Sequence, residues 1–545
     1  MYENVAGFEW YDYATFSIMV IVSVTIGIYF GIVKRQDNKE EYLLGGKSMG
    51  VIPVTVSLIT STVSGITLMA YPADVYKYGS NVLLLCIMLP INGFIYSYVF
   101  LPVYLKAEVT SLYEYLEKRF SSSCRTLASV LFTISMILYG SVVIYLPSLA
   151  FKQGTGIDVV VVAPIICILC IFYTTIGGIK AVIWTDTFQF FATISSTITI
   201  IIVGIISVGG IKNVWDTNLA GERLNIFNFR CDVTSRDTVW SIVLGATVQW
   251  SSYIICNQGE FQKCRSVPTL AKARLCTILY GFGTAILMFT AIVNGNIMYA
   301  KYSTCDPLST KQVYRDDQLL PYFVLDISSR IPGLPGIFIA GVFSAALSTF
   351  SAGMNAVAGV IYEDFLLKFL SQETQKEREG IILKTLVVCF GTICTLLVLV
   401  VQLVSEIVPF LSSIQGFIGG SLLGMMVLGV MVPVANSKGA FSGAVVALIF
   451  VTWIGFGRLW YTFRGMSFDL AKPMSVQSCN FSYNTTTVKD VEDIFIMYRI
   501  SFWYITVIGS GTTILIGTVV SLLTRNPGQV VNKNLISPIL HRFLD

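Results

Sequence analysis

The chain has 545 residues, of which 54% are hydrophobic and 12% charged, and its mean hydropathy is +0.72. This composition excludes a soluble globular protein and predicts an integral membrane protein embedded in a lipid bilayer. The net charge of +4 is spread over short loops, which gives nucleic-acid binding no support, and the single histidine, His541, excludes histidine-based metal sites and proton relays.

Apolar runs of about 20 residues, the length that crosses a bilayer as a helix, recur along the whole chain. We count thirteen, at residues 12–33, 50–78, 81–105, 126–151, 158–178, 181–209, 239–258, 275–298, 334–366, 381–404, 407–433, 439–458 and 499–523. The sequence therefore predicts an all-α polytopic membrane protein.

Basic loops give these spans a direction. Lys and Arg cluster at residues 34–47, 118–125, 263–274 and 368–384. Because such loops stay in the cytoplasm, we expect the N-terminus outside and the C-terminus inside. Two glycosylation sequons, at Asn480 and Asn484, fall in a loop that this orientation places outside.

Two of the predicted spans are interrupted by polar residues. Residues 60–65 break the second span, and residues 249–253 interrupt the seventh, which residues 257–259 close. Two broken spans separated by five are typical of five-helix repeats with opposite orientation. We expect a first repeat at 49–209, a second at 239–433, peripheral helices at 434–523 and a cytoplasmic tail at 524–545, all within one transmembrane domain at 1–545.

Most of the twelve cysteines lie in apolar runs, where they behave as small hydrophobic residues. Cys231, Cys305 and Cys479 fall in predicted outside loops. At most one disulfide and one remaining thiol are expected there, and the sequence leaves the pairing open.

A strip of small and hydroxyl residues marks the ninth span. Ser348, Thr349, Ala352 and Asn355 share one helix face. One interpretation is close helix packing through small residues. The other is a cation site, in which carbonyls at the break at 60–63 join the hydroxyls of the strip, because sodium prefers hard oxygen ligands and needs no carboxylate.

Asp186 is a carboxylate in a predicted span and is therefore a candidate functional residue, the alternative being an interfacial helix cap. The chain has no GxSxG with a partner histidine, no HExxH and no GxxxxGK[ST]. We therefore expect neither an enzyme nor a cofactor.

Seven stretches together resemble the sodium/solute symporter family, nearest the branch of sodium-coupled monocarboxylate, multivitamin and iodide transporters. They are residues 57–61, 71–76, 110–120, 173–186, 305–308, 317–322 and 347–364. The resemblance implies a LeuT-like fold of inverted five-helix repeats with extra helices and thirteen spans. It implies sodium as the coupling ion and the only metal, bound by backbone oxygens of Thr60, Val63 and Ala345 and by the hydroxyls of Ser348 and Thr349, with Asp186 close by.

The resemblance also places a substrate cavity near Thr67, Trp250 and Tyr253. Sugar carriers have Asn, His and an acid where this chain has Thr62, Thr67 and the pair at 79–80, and iodide carriers have Gln at Thr67. The expected substrate is therefore a small organic anion, and a monocarboxylate is the first choice. The alternatives are the vitamins biotin and pantothenate, and iodide. A substrate-gated sodium channel or a non-transporting sensor is the alternative of another class.

Energetics bear on the number of sodium ions. A tenfold sodium gradient supplies about 1.4 kcal/mol per ion, and about 60 mV adds roughly 1.4 kcal/mol for each net charge moved. One sodium with one monoanion is electroneutral and cannot use the membrane potential. We therefore expect two or more sodium ions per anion. The carrier is also expected to lie in the plasma membrane.

Overall fold

A computed structural model describes residues 8–33, 45–328, 331–404, 407–464, 466, 468–479, 494–525 and 532–543. Within these ranges the chain is helical, with turns and no strand. The predicted glycosylation sites Asn480 and Asn484 lie outside the described residues, as do the basic residues of the first predicted cytoplasmic loop up to residue 44.

The described ranges contain nineteen α-helices, several of them extended by short π or 3-10 turns. They are α1 Trp10–Ile28, α2 Val51–Thr62, α3 Tyr71–Tyr78, α4 Leu83–Ile95, α5 Leu101–Lys106, α6 Glu114–Arg119, α7 Ser122–Thr155, α8 Val159–Val208, α9 Ile211–Ala220, α10 Thr247–Cys256, α11 Gln258–Arg265, α12 Leu270–Tyr302, α13 Leu319–Ile327, α14 Leu334–Val360, α15 Gln372–Val401, α16 Ile407–Met431, α17 Ser437–Phe463, α18 Ile496–Arg499 and α19 Ile505–Leu523.

Ten helices in the described residues are long and apolar enough to cross a membrane, and a bent pair, Val51–Thr62 with Ile66–Tyr78, makes an eleventh. The chain is thus a multi-pass membrane protein. Helix α8 has 50 residues, about 75 Å at 1.5 Å per residue, against a hydrocarbon core of about 30 Å. It kinks at Gly178, whose φ of 55° and ψ of −160° favour glycine, close to the predicted boundary between two spans.

Helix α14 lies at the centre of the bundle. Its most apolar stretch is 94% buried, against 17% for α1, and it packs against α1, α2, α7 and α8. Small residues permit this packing, since a Cβ at Gly341 would lie 2.3 Å from the Cβ of Ser196. Small residues also join α16 to α19, where a Cβ at Gly420 would lie 3.0 Å from the Cα of Gly509.

The break in the second span is present where the sequence predicts it. Helix α2 ends at Thr62, the backbone is extended at Val63, and the helix resumes at Ile66 after a bend of 58°. Unwound backbone at this depth is tolerated because protein covers it, and the residues from Thr62 to Ile66 are all buried.

The second break lies later than the sequence predicts. The polar residues 249–253 are helical, and α10 ends only at Cys256. The backbone is extended at Asn257, whose Oδ1 accepts a hydrogen bond of 2.8 Å from the Gly259 amide and so caps α11. The prediction at 249–253 was wrong because polar side chains that line a cavity do not require a break in the backbone.

Three basic residues counted in cytoplasmic loops are buried. Arg119 donates hydrogen bonds to the carbonyls of Gly429, Val432, Pro433 and Ala435. Arg125 donates to the Asp364 carboxylate at 2.8 Å. Lys263 is 1% exposed. Buried cations persist because each has oxygen partners, so these side chains are weaker guides to orientation than the sequence predicts.

The predicted outer loops share one disulfide. Cys305 is bonded to Cys479, and Cys231 is an exposed free thiol, in agreement with the expectation of one disulfide among the three.

In the same region burial raises the pKa of the Asp317 carboxyl to about 6, opposed by the charge of Arg315.

Candidate functional site

Four of the five predicted sodium ligands meet between the end of α2 and the middle of α14. The Ser348 hydroxyl donates to the carbonyl oxygens of Thr60, at 2.8 Å, and Ala345, at 3.0 Å. The Thr349 hydroxyl lies 3.5 Å from the same Thr60 oxygen and 3.0 Å from that of Ala345. Two carbonyls and two hydroxyls from separate helices therefore form one cluster of oxygens.

Val63, the fifth predicted ligand, occupies the break itself. It is fully buried, and its φ of −85° and ψ of 96° are extended. Extended backbone turns its carbonyl away from the helix axis, so that oxygen has no successor amide in the helix to bond. None of the hydrogen bonds among the other four residues involves Val63.

The oxygen cluster is buried and uncharged. Thr60, Ala345, Ser348 and Thr349 are each at most 3% exposed. Each hydroxyl now donates to a carbonyl, and rotation about its C–O bond would direct a lone pair inward instead. Both hydroxyls can thus turn a lone pair towards a monovalent cation while they keep their protons.

Asp186 lies inside α8, eight residues after the Gly178 kink, and is not a helix cap. Its Oδ2 accepts a hydrogen bond of 2.6 Å from Ser57 and lies 3.1 Å from Nζ of Lys263. Its contact with the cluster is through the backbone, since Thr60 Oγ1 lies 3.4 Å from the Asp186 carbonyl oxygen. The carboxylate therefore contacts α2 one turn before Thr60.

Two buried charged residues of α11 were not singled out from the sequence. Lys263 donates to the Ser57 carbonyl at 2.9 Å besides pairing with Asp186. Glu260 is 2% exposed and accepts a hydrogen bond of 3.0 Å from Ser61. Their spacing of three residues, directly after a polar interruption in an apolar run, is a signal that could have identified them.

The three residues predicted to surround the substrate line one cavity of about 510 Å³. Every lining side chain is uncharged. The lining consists of Thr62, Ser64, Ile66, Thr67, Tyr71, Tyr139, Gln249, Trp250, Tyr253, Val408, Leu411, Ser412 and Gln415. Hydroxyl, amide and indole groups thus provide hydrogen-bond donors without a fixed positive charge.

A second cavity of about 470 Å³ adjoins the first and shares four of its residues, Tyr139, Gln249, Tyr253 and Gln415. The Tyr139 and Tyr253 ring centroids are 6.3 Å apart, and Gln249 donates to Gln415 at 3.1 Å. These two pairs therefore line both cavities where the cavities adjoin.

Known proteins share this architecture. Residues 42–447 match the model of the sodium:solute symporter family. A sodium-coupled monocarboxylate transporter 2 from Danio rerio is 37% identical over 533 residues, which cover 96% of this chain and 85% of the relative. A sodium-coupled monocarboxylate transporter 1 from Xenopus laevis is 34% identical over 552 residues, which cover 98% and 88%.

A solved structure has the same fold. The substrate-bound, outward-open state of a Na+-coupled sialic acid symporter superposes with a TM-score of 0.79 at 24% identity, covering 96% of this chain and all of the other. At that identity the likeness establishes the fold, and the family model and the relatives establish the kinship. The chain belongs to the sodium:solute symporter family.

Proposed function

We propose that the chain is a plasma-membrane symporter in which inward sodium movement drives uptake of a small monocarboxylate by alternating access. The observation that carries this proposal is the cavity of neutral donors beside the cluster of oxygens at the end of α2. Thr62 lines the cavity, and Thr60, two residues earlier, provides a carbonyl to the cluster. Kinship with two transporters named for monocarboxylates supports the choice of substrate.

The sodium ion is bound in this proposal by Thr60, Val63, Ala345, Ser348 and Thr349. Three carbonyl and two hydroxyl oxygens are a hard, neutral ligand set, which suits a monovalent cation. Asp186 acts through its contacts with Ser57 and Lys263, which hold the α2 segment in place. Sodium then links α2 to α14, so its binding favours one arrangement of the two helices.

The carboxylate is bound by uncharged donors, among them Thr67, Trp250 and Tyr253. A fixed Lys or Arg would hold an anion without sodium, whereas neutral donors need the nearby cation to offset the substrate's charge. This dependence couples the two cargoes, because each raises the affinity for the other. The apolar side chains Ile66, Val408 and Leu411 accommodate the short alkyl part.

The proposal includes a membrane topology of thirteen spans. Dividing Val159–Val208 at Gly178, and counting both the bent pair and the shorter apolar helix Ser241–Cys256, brings the ten helices of the described residues to thirteen spans. An odd number of spans puts the two termini on opposite sides of the membrane. The basic loops place the N-terminus outside and the C-terminus inside. The inverted repeats are residues 49–209 and 239–433, with peripheral helices at 434–523, a tail at 524–545 and glycans on Asn480 and Asn484.

Uptake of labelled lactate, butyrate, biotin, pantothenate and iodide, each in sodium and in choline medium, tests the proposal. Cells expressing the chain are expected to accumulate lactate and butyrate at least tenfold more in sodium than in choline. Greater accumulation of biotin, pantothenate or iodide would reassign the substrate. Equal accumulation of lactate in the two media, at matched surface expression, would overturn sodium coupling.

A further inference from the structure

Glu260 is a buried carboxylate that the proposed sodium site does not use. It is 2% exposed, and its Oε1 accepts the hydrogen bond from Ser61, whereas its Oε2 is buried with no hydrogen-bond partner. An ionisable side chain at membrane depth is costly unless a partner offsets it, so the missing partner needs a physical explanation.

The charges around Glu260 do not balance. Lys263, one turn along α11, is a cation whose charge acts on Glu260, and it is already 3.1 Å from Asp186. With both carboxylates ionised, two carboxylates and one ammonium leave a net charge of −1 in a buried cluster. Asp186 Oδ1 also lacks a partner. A second cation would neutralise this cluster, as would a proton on one of the carboxylates.

The neighbours of Glu260 favour oxygen coordination. The hydroxyls of Ser61 and Thr62, which both lie within hydrogen-bond distance of the Leu58 carbonyl, lie beside it. The phenols of Tyr139, Tyr253 and Tyr280 lie within electrostatic range. A carboxylate oxygen with hydroxyl neighbours and no hydrogen bond to an ammonium is a hard-ligand environment, which suits sodium.

Three consecutive residues at the end of α2 point to three different places. The Thr60 carbonyl contacts the α14 hydroxyls, the Ser61 hydroxyl contacts Glu260, and Thr62 lines the larger cavity. Asn257, which lines the adjoining cavity, also caps the helix turn that carries Glu260. The turn that carries Glu260 is thus held by a residue that lines the adjoining cavity.

We propose that Glu260, with the hydroxyls of Ser61 and Thr62, binds a second sodium ion that is carried with the first. This inference rests on the proposed function and explains how two positive charges accompany one monoanion. The net charge of +1 per cycle lets the membrane potential drive uptake. Loss of Glu260 would leave an electroneutral carrier that still needs sodium.

The test is simultaneous measurement of current and labelled lactate uptake in voltage-clamped oocytes, for the wild type, Glu260→Gln and Glu222→Gln. Glu222 is an exposed glutamate and serves as the matched control. The wild type and Glu222→Gln are expected to move about one net charge per lactate, with a Hill coefficient for sodium near 2. Glu260→Gln is expected to retain sodium-dependent lactate uptake with a Hill coefficient near 1 and less than a fifth of the charge per lactate.

An unchanged charge per lactate in Glu260→Gln would overturn the second site and leave the proposed function intact. A reversal potential that follows external pH in the wild type, and loses that dependence in Glu260→Gln, would also overturn it, since the carboxyl would then carry a proton. If Glu260→Gln does not reach the surface, Glu260→Asp replaces it. That variant is expected to keep the charge ratio and to need at least threefold more sodium, and an unchanged sodium requirement would contradict the site. Absence of sodium-dependent lactate uptake in the wild type would instead overturn the proposed function.

Discussion

At the scale of single residues, the hydroxyls of Ser348 and Thr349 form the part of the candidate sodium site that substitution can remove. In Ser348→Ala with Thr349→Ala, both side-chain oxygens are lost while the carbonyls of Thr60 and Ala345 remain. At about 1.4 kcal/mol for each ligand oxygen, the sodium concentration for half-maximal uptake should rise by roughly a hundredfold. Lactate uptake measured against sodium concentration checks this.

The matched control removes one serine and one threonine hydroxyl from α8. Ser195 is exposed and Thr199 half-buried, and both donate to carbonyls of their own helix, at 3.0 and 2.7 Å. Ser195→Ala with Thr199→Ala should leave the sodium requirement within twofold of the wild type. If the sodium requirement shifted equally in both double variants, the α14 hydroxyls would be packing residues and not sodium ligands.

The same residues mark what the sequence can predict of the site. Spacing alone placed Ser348 and Thr349 on one face of an apolar helix, and the polar break placed Thr60 at membrane depth. Family resemblance was needed to pair the two helices. Glu260 was missed because the basic residues that follow it were counted as a cytoplasmic loop, so its spacing of three residues from Lys263 was not used.

At the scale of elements, the Asp186 to Lys263 ion pair joins α8 to α11, and both residues contact Ser57 of α2. Lys263→Gln leaves the Asp186 carboxylate buried without its cation. Removal of one partner of a buried pair costs about 3 to 5 kcal/mol. The melting temperature of the purified variant in detergent should therefore fall clearly below that of the wild type.

Adding Asp186→Asn to Lys263→Gln should restore most of the lost stability, because two neutral amides can replace the two charges. The double variant separates charge balance from the shape of the lysine side chain. A double variant that melts as low as Lys263→Gln alone would show that the ion pair is not the source of the stability.

Element boundaries were predicted unevenly for the same physical reason. Apolar runs located the long helices. Gly178, whose positive φ requires glycine, lies at the predicted boundary of two spans. The break near α10 was placed too early, since Gln249 and its neighbours are polar in order to line a cavity. Hydropathy depends only on how polar the residues are. It therefore cannot distinguish polar side chains that line a cavity from polar residues in unwound backbone.

At the scale of the whole molecule, two broken helices meet around the central helix α14, with the cavity and the oxygen cluster at their breaks. Composition was enough to predict a polytopic helical membrane protein. The relative positions of α2, α11 and α14 depend on packing between segments up to about 300 residues apart in sequence, which local periodicity does not encode.

The central claim is that sodium and a monocarboxylate cross the membrane together through this site. Its most direct test is parallel uptake of radioactive sodium and labelled lactate into proteoliposomes containing the purified protein, under an inward sodium gradient. We predict that each cargo enters only when the other is present, with about two sodium ions per lactate. Sodium entry without lactate accumulation, or lactate accumulation without sodium, would contradict the claim.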